Sequence, residues 1–351
     1  MDIEPLLRLM LQKHASDLHL TANTPPIFRI NGVLNPVEGT PYLTAENTQN
    51  FFEQISNPEQ RETFKGDFEL DFTYAMADLA RFRVNVMKQR NTLSLALRLV
   101  PVEVPSIDGL ELPQILKKLI LKDRGLILVT GATGTGKSTT LAAMLNYLNQ
   151  TAKRNVITIE DPIEFLFSNN LSIIRQRELR QDTKSFSNAL VYALRHDPDV
   201  IVVGEMRDLS TISAALRAAE TGHLVLSTLH TIDAVQAVDR IIDIFPAGQQ
   251  RQVRLQLAGV IEALISQRLL PRIAGGRIAA LEIVLANNVV RKLIVDQKLN
   301  EIMPNAEMSR LEGMQSMEQA LADMVKKRIV TLQDAMDTSS NPMQLKKFVN
   351  P

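Results

Sequence analysis

Four short apolar runs alternate with helical stretches in the middle of the chain. They span residues 126–129, 156–159, 200–203 and 224–226. Strands of a parallel sheet are continuous apolar runs because helices cover both faces of the sheet. Alternation of such runs with helical stretches is typical of βα units. The pattern therefore predicts an α/β domain that is built on a mostly parallel sheet.

The first hundred residues show a shorter period, in which apolar and polar positions alternate. This period predicts strands that bury one face and expose the other. Asn31-Gly32 predicts a hairpin turn, residues 67–74 are predicted to form a strand, and an amphipathic helix is expected near residues 6–11. The region is thus predicted to be a small α+β domain. Three arginines fall on the polar side of its strands: Arg81, Arg83 and Arg98.

Proline and glycine punctuate residues 101–113, which are the best candidate for a linker. The predicted domains are therefore residues 1–100 and 114–351. Further on, apolar residues at helical spacing predict a C-terminal helix that carries Gln267 on its surface, and another helix is expected near residues 317–327. The apolar set of the first of these helices is Val253, Leu257, Ile261, Leu264 and Ile265.

Composition narrows the class of protein. The chain has 351 residues, of which 45% are hydrophobic and 22% are charged, and this mixture is typical of globular proteins with two or three domains. It contains no cysteine, which excludes disulfides, thiolate zinc sites and iron–sulfur clusters. The lack of cysteine is also expected of a protein in the reducing cytoplasm.

Charge and hydropathy limit the kinds of partner that the protein is expected to bind. The 39 basic residues balance the 39 acidic ones, so we expect no strong attraction to nucleic acid or to an anionic membrane. No stretch approaches the ~18 consecutive apolar residues that cross a bilayer. Any membrane association is therefore expected to be peripheral, through a partner protein.

A glycine-rich segment follows the first apolar run and carries the main candidate chemistry. It matches the phosphate-loop pattern at every specified position and lies between a predicted strand and a predicted helix. Lys137 is expected to reach the β- and γ-phosphates of ATP, and the Ser138 hydroxyl is expected to bind Mg²⁺. The predicted nucleotide-binding residues are Gly131, Ala132, Thr133, Gly134, Thr135, Gly136, Lys137, Ser138 and Thr139.

Carboxylates and a histidine follow three other predicted strands. Glu205 ends one strand at the edge where α/β sheets bind ligands, so it is the candidate carboxylate on the Mg²⁺ side, directly or through water. Glu160, Asp161 and Glu164 follow a second strand, and one of them is expected to activate water, although their spacing does not rank them. His230 lies just beyond a third strand, where a γ-phosphate sensor is expected.

These motifs occur in the same order as in the secretion ATPase superfamily, and the chain resembles its type IV pilus retraction ATPases. The resemblance covers essentially the whole chain. The segments that carry it, besides the phosphate loop, are residues 15–20, 81–85, 160–164, 204–208, 221–231 and 313–317.

The resemblance implies a homohexameric ring, in which a PAS-like N-terminal domain packs on a RecA-like ATPase domain with ATP between them. It implies that Glu164 is the catalytic glutamate and that Glu205 lies on the Mg²⁺ side. It also implies that His223 and His230 belong to a histidine box.

The family further places arginines of the N-terminal domain near the γ-phosphate. Arg81, Arg83 and Arg98 are the candidates, because they point away from the core of their own sheet. An arginine in this position stabilises the charge of the transition state. Arg195 and Arg207 are the weaker alternatives for contacting phosphate or a carboxylate.

The function implied is coupling of ATP hydrolysis to pilus retraction at the inner face of the cell membrane, through a platform protein in that membrane. One segment departs from the pattern. Retraction ATPases carry Ala-Ile-Arg-Asn-Leu-Ile-Arg-Glu, of which residues 289–296 keep only Arg291, Leu293 and Ile294. An accessory retraction paralogue and a motor for type II secretion or DNA uptake therefore stay open as alternatives.

A nucleic-acid translocase is a more distant alternative, because RecA-like rings also move DNA. Such a motor needs a basic stripe or stacking aromatic side chains along its pore. This chain has no tryptophan and only 5% aromatic residues, so that alternative is disfavoured.

Overall fold

The backbone of the protein, in a computed structural model, falls into two compact units. One unit comprises residues 1–103 with 164–166, and the other comprises 104–163 with the chain from residue 167 onward. Each unit has its own sheet and its own hydrophobic core. The boundaries of the predicted domains stay a prediction. The residues that the structure describes are 1–30, 32–76, 80–100 and 103–350.

The first unit is an α+β fold in which helices pack against an antiparallel sheet. The strands lie in the order β3-β2-β1-β6-β5-β4. Its elements are α1 (Glu4–Gln12), β1 (Asp17–Thr21), β2 (Ile27–Ile30), β3 (Val33–Pro36), α2 (Ala45–Ile55), α3 (Pro58–Asp67), β4 (Glu69–Met76), β5 (Ala80–Gln89) and β6 (Thr92–Val100).

The alternation predicted for this sheet is confirmed in β5 and β6. Phe82, Val84 and Val86 are buried, whereas Arg83 and Arg98 are exposed. The predicted hairpin also forms, because β2 pairs with β3 in antiparallel register, although Asn31 of its turn lies outside the described residues.

Two helices of the first unit were not expected from the period of the sequence. Both α2 and α3 begin with a capping box, in which the side chains of Thr44 and Asn57 accept hydrogen bonds from the backbone three residues on. The predicted strand over residues 67–74 is therefore wrong at its start. Asp67 ends α3, and β4 begins only at Glu69.

The second unit is an α/β fold, as predicted. Its sheet has the order β13-β12-β7-β11-β10-β8-β9, and every neighbouring pair is parallel except β12 with β13. Its elements are α4 (Ile115–Ile120), β7 (Gly125–Thr130), α5 (Lys137–Thr151), β8 (Asn155–Glu160), β9 (Ile173–Glu178), α6 (Phe186–Ala193), β10 (Val200–Val203), α7 (Leu209–Glu220), β11 (Leu224–Leu229), α8 (Ala234–Asp243), α9 (Ala247–Val260), β12 (Ile261–Pro271), β13 (Arg277–Leu285), α10 (Asn288–Val295), α11 (Ile302–Met308), α12 (Met317–Lys326), α13 (Leu332–Thr338) and α14 (Pro342–Val349).

Two hydrophobic clusters cover the two faces of this sheet. The first contains Leu126 and Leu128 of β7 together with the inner sides of α6 to α10. The second contains Ile127 and Val129 of the same strand together with α4 and α5. Because β7 is buried on both faces, its position is fixed, and so is the start of the loop that follows it.

The predicted C-terminal helix is wrong beyond Val260. Helix α9 ends there, and the next residues form β12, which pairs in parallel with β7 and antiparallel with β13. Gln267 is consequently not on a helix surface but is only 2% exposed inside the sheet. A doubly buried strand is a continuous apolar run, which periodicity alone does not distinguish from a buried helix.

The outer edge of β13 carries a backbone bridge. Ile283 donates to the Gln315 carbonyl at 2.8 Å and accepts from the Gln315 N–H at 3.0 Å. In the described part of the chain, no helix combines the length and the apolar character that crossing a membrane requires.

Candidate nucleotide-binding site

The phosphate loop connects β7 to α5. Its glycines adopt backbone angles that other residues rarely reach, with φ of 145° at Gly131, 81° at Gly134 and 87° at Gly136. A Cβ atom at Gly131 would lie 2.6 Å from the carbonyl oxygen of Gln267. The loop therefore needs glycine both for its turns and for its close approach to β12.

The first turn of α5 faces this loop. The helix begins after Gly136, and no described side chain caps its start. The first N–H groups of a helix have no partner within the helix and attract anions. The backbone is thus suited to hold phosphate.

Lys137 is folded over the loop. Its Nζ donates to the carbonyl oxygens of Gly131 and Ala132 at 2.9 and 3.0 Å, and the residue is only 8% exposed. The ammonium group therefore lies where the β- and γ-phosphates bind in phosphate-loop proteins. Ser138 and Thr139 lie half-buried in the same helical turn.

Glu205 and His230 meet the phosphate loop at the carboxyl ends of three neighbouring strands. His230 Nε2 lies 3.1 Å from Glu205 Oε1, and His230 Nδ1 lies 3.4 Å from the hydroxyl of Thr133. The other oxygen of Glu205 accepts from Arg207 at 2.7 Å. Because β7, β11 and β10 are adjacent, the structure brings together the predicted loop residue, the predicted metal-side carboxylate and the predicted sensor histidine.

The electrostatics at Glu205 favour its ionised form. Burial alone would raise the pKa of this carboxyl group. The hydrogen bond from Arg207 and the charges of His230 and Arg207 outweigh that effect, so the pKa lies below its ordinary value. Glu205 is therefore a carboxylate at neutral pH.

These residues fit Mg²⁺. The Ser138 hydroxyl and the Glu205 carboxylate are hard oxygen donors, and Mg²⁺ is typically held by one or two protein groups together with water and substrate phosphates. Among the described residues there is no group of three or more His, Asp or Glu that would hold a metal by itself. The donor set is thus that of a nucleotide-assisted site.

The three acidic residues at the end of β8 and in the segment that follows it differ in their surroundings. Glu160 Oε1 accepts hydrogen bonds from Thr158 at 2.6 Å and from Gln176 at 3.1 Å. Asp161 and Glu164 are exposed. Glu164 belongs to the first unit, whereas the phosphate loop belongs to the second, so its catalytic role stays a prediction.

The three N-terminal arginines share the polar face of their sheet. Arg83 and Arg98 are register partners across β5 and β6. Arg98 Nε donates to Asp17 Oδ1 at 2.7 Å, whereas Arg81 is half-buried. Their action on a phosphate also stays a prediction.

The remaining candidates have local contacts. His223 Nδ1 lies 3.0 Å from the Ala218 carbonyl and 3.2 Å from the Thr221 hydroxyl, at the end of α7. The Arg195 guanidinium lies over the Tyr192 ring at 5.4 Å. Neither contact involves the phosphate loop.

Gln267, which was predicted on a helix surface, instead lies beside the phosphate loop. Its side chain donates to the Thr135 carbonyl at 2.6 Å and accepts from the Thr140 hydroxyl at 2.7 Å. The available signal was a stretch of three polar residues, Ser266-Gln267-Arg268, between apolar ones.

Fold and site together define a phosphate-loop nucleotide-binding protein with a RecA-like α/β sheet. The family described as type II/IV secretion system protein matches residues 1–337, and the chain belongs to this family. The predicted membership of the secretion ATPase superfamily is thereby confirmed.

Two curated relatives are similar over nearly the whole chain. The type IV pilus retraction ATPase PilT of Pseudomonas aeruginosa is 42% identical over 342 residues, which cover 97% of this chain and 99% of the relative. The type IV pilus ATPase PilU of the same organism is 41% identical over 350 residues, covering 99% and 91%.

One solved structure is similar to this chain in fold across both units. The pilus retraction motor PilT with bound ADP has a TM-score of 0.93 and 45% identity, and the match covers 99% of each chain. The predicted resemblance to pilus retraction ATPases is confirmed by these matches.

Proposed function

We propose that the protein is an ATP-hydrolysing motor that drives type IV pilus retraction as a homohexameric ring. The ATPase part of this proposal is carried by one observation, the contact chain from Glu205 through His230 to Thr133 of the phosphate loop. The pilus part is supported by relatives that match almost the full length of the chain.

Each residue of the site has a defined task in this proposal. Lys137 and the first N–H groups of α5 bind the phosphates, and the glycines allow the backbone to surround them. His230 links the position of the phosphate loop to the carboxylate of Glu205. Ser138 and Glu205 would hold Mg²⁺, directly or through water, and the ion would supply charge neutralisation at the phosphates.

Glu164 is the proposed base, which orients and polarises the attacking water. An arginine of the polar face of the first unit completes the site, from the same subunit or from a neighbour in the ring. In the cell, the ring acts at the inner face of the membrane on a platform protein, so membrane association is peripheral. Nucleic acid has no part in this function.

The catalytic role of Glu164 is tested by Glu164→Gln, with Glu160→Gln as the matched control. Glu164→Gln is expected to bind ATP and assemble normally while losing at least about 10²-fold in kcat, because the base is lost but its shape is kept. Glu160→Gln is expected to lose far less activity than Glu164→Gln, since Glu160 Oε1 already accepts hydrogen bonds from Thr158 and Gln176. Normal turnover in Glu164→Gln would reject its role as the base.

A second candidate function is that of an accessory retraction ATPase. PilU is as similar to this chain as PilT is. The departures in α10 also have a pattern, since the retained Arg291, Leu293 and Ile294 face inward, whereas Val289 and Val295 are exposed. The buried departure is Val290, which replaces an isoleucine, so the buried side of α10 stays aliphatic while its exposed positions differ.

Cells that lack the gene separate these candidates. For a retraction motor we expect loss of twitching together with an excess of surface pili. Retained retraction that weakens only under load would favour the accessory role. Cells without pili would reject retraction and favour an assembly motor.

A further inference from the structure

Gln267 joins two parts of the phosphate-loop region that are five residues apart. Its Nε2 donates to the carbonyl oxygen of Thr135 at 2.6 Å, and its Oε1 accepts from the hydroxyl of Thr140 at 2.7 Å. Thr135 lies within the loop, and Thr140 lies in the first turns of α5. The amide therefore bridges the loop and the helix that follows it.

The bridge is buried and its geometry is fixed by the sheet. Gln267 is 2% exposed and Thr140 is 1% exposed. The preceding residue, Ser266, is the register partner of Thr130 at the end of β7, and the Thr130 hydroxyl donates to the Ser266 hydroxyl at 3.0 Å. The Gln267 carbonyl also lies against Gly131.

A buried amide with both of its functions bonded is a specific constraint. Loss of one partner leaves a buried polar group unsatisfied, whereas a fully bonded group holds its neighbours in one arrangement. Here the neighbours are loop atoms, so the constraint acts on the conformation that binds phosphate.

We propose that Gln267 is a positioning residue for nucleotide binding, which holds the phosphate loop in its binding conformation before the nucleotide arrives. It acts through Thr135 and Thr140 rather than by contact with substrate. The inference rests on the proposed function, because it assumes that this loop binds ATP.

The direct test compares variants of the purified full-length protein with the wild type. ADP affinity is measured by titration calorimetry, and KM and kcat are measured for ATP. Gln267→Leu removes both bonds, and we expect ADP affinity to fall and KM to rise by about 10-fold, as the loss of two hydrogen bonds implies. At saturating ATP we expect kcat to change less than about 3-fold, because a preorganised loop acts on binding rather than on the chemical step.

Two variants of Thr140 test the same bridge from its other end. Thr140→Val removes the hydroxyl and should raise KM about 3-fold, whereas Thr140→Ser keeps the hydroxyl and should restore wild-type binding. If Gln267→Leu does not fold, this pair decides the inference. The double variant of Gln267→Leu and Thr140→Val should bind no more weakly than Gln267→Leu alone, because both act through one bridge.

Gln315→Leu is the control for a purely structural glutamine. The Gln315 side chain donates to the Leu281 carbonyl at 2.7 Å on β13, which is one strand farther from the loop than β12. This variant should lose thermal stability but bind ADP within about twofold of wild type.

Equal ADP affinity in wild type, Gln267→Leu and Thr140→Val would overturn the inference alone, as would equal weakening by Gln267→Leu and Gln315→Leu. Failure of the wild-type protein to bind ADP would instead reject the proposed function together with the inference.

Discussion

The phosphate-loop edge of the second unit and the arginine face of the first unit are organised in opposite ways. At the phosphate loop, the functional groups are held by buried strands and by contacts between 2.6 and 3.4 Å. On the arginine face, Arg83 and Arg98 are exposed, and Arg98 is engaged by Asp17.

This difference shows which part of the site is complete within its own unit. The phosphate loop has its carboxylate, histidine and lysine in place without any other unit. The three arginines lie on the sheet of the other unit, and their action on a phosphate belongs to the proposed function. Nucleotide binding should therefore survive changes that abolish turnover.

The largest effect is expected on the arginine face. Of Arg81→Ala, Arg83→Ala and Arg98→Ala, at least one should lower kcat by roughly 10³-fold or more while ADP affinity changes little, because an arginine finger acts on the transition state. Arg8→Ala, at an exposed position of α1 in the same unit, is the control. If all three variants kept kcat within tenfold of Arg8→Ala, the proposed catalytic role of the arginine face would be rejected.

Mixed rings then show which subunit supplies the arginine. Lys137→Ala subunits are mixed with subunits of the affected arginine variant, and ATP turnover is measured. Recovery of activity indicates an arginine that acts on a neighbouring subunit, whereas strictly additive activity indicates action within one chain.

The next effect is expected at Glu205. Glu205→Gln removes the charge but keeps the shape, so we expect kcat to fall by about 10²-fold and the Mg²⁺ requirement to rise, with ADP binding retained. Glu220→Gln is the control, since Glu220 is an exposed residue at the end of α7. Unchanged turnover in Glu205→Gln would show that Glu205 does not act on Mg²⁺.

Glu282, in the second unit, is expected to affect stability rather than activity. It is 5% exposed in β13, and its Oε1 accepts from the Ala234 N–H at 3.0 Å. Burial raises the pKa of this carboxyl from 4.5 to about 7. Between those values the folded protein binds the proton more tightly than the unfolded chain, so stability falls as pH rises through this window.

Glu282→Gln should abolish that pH dependence. The neutral amide keeps an acceptor, so we expect the free energy of unfolding of the second unit to increase by up to about 3 kcal/mol at pH 8 and to be nearly unchanged at pH 4.5. Urea unfolding at both pH values measures it. An equal change at both would show that ionisation of Glu282 is not the cause.

The smallest effect is expected at Asp17. Burial would raise its pKa, but hydrogen bonds from Ser16 and Arg98 hold it below 3.8. Asp17→Asn should lower the stability of the first unit by about 1 kcal/mol at pH 7, and the deficit should vanish as pH falls through the folded pKa. A constant deficit from pH 7 to pH 2 would contradict this.

Much of the site was predictable because its chemistry is local in sequence. The phosphate loop is one contiguous motif, and Glu205 and His230 each end an apolar run, so their meeting followed from the rule that parallel strands share a carboxyl edge. The 3.4 Å approach of His230 to Thr133 was not predictable, since it depends on the adjacency of β7 and β11.

The strand β12 shows what the sequence could not decide. Its apolar residues at positions 261, 264 and 265 fit the helical period of the preceding helix, but β7 and β13 offer backbone partners that make a strand. Tertiary pairing thus overrides local spacing. Gln267 was misplaced for the same reason, although its side chain bonds the loop at Thr135.

The bridge between Ile283 and Gln315 has a consequence for solubility at high local concentration. An open edge strand is a template on which another chain can add, and such addition leads to aggregation. Here the chain covers part of the β13 edge itself, and the opposite edge strand β9 carries Arg175 and Arg177. Both features disfavour the addition of a strand from another copy at the edges of this sheet.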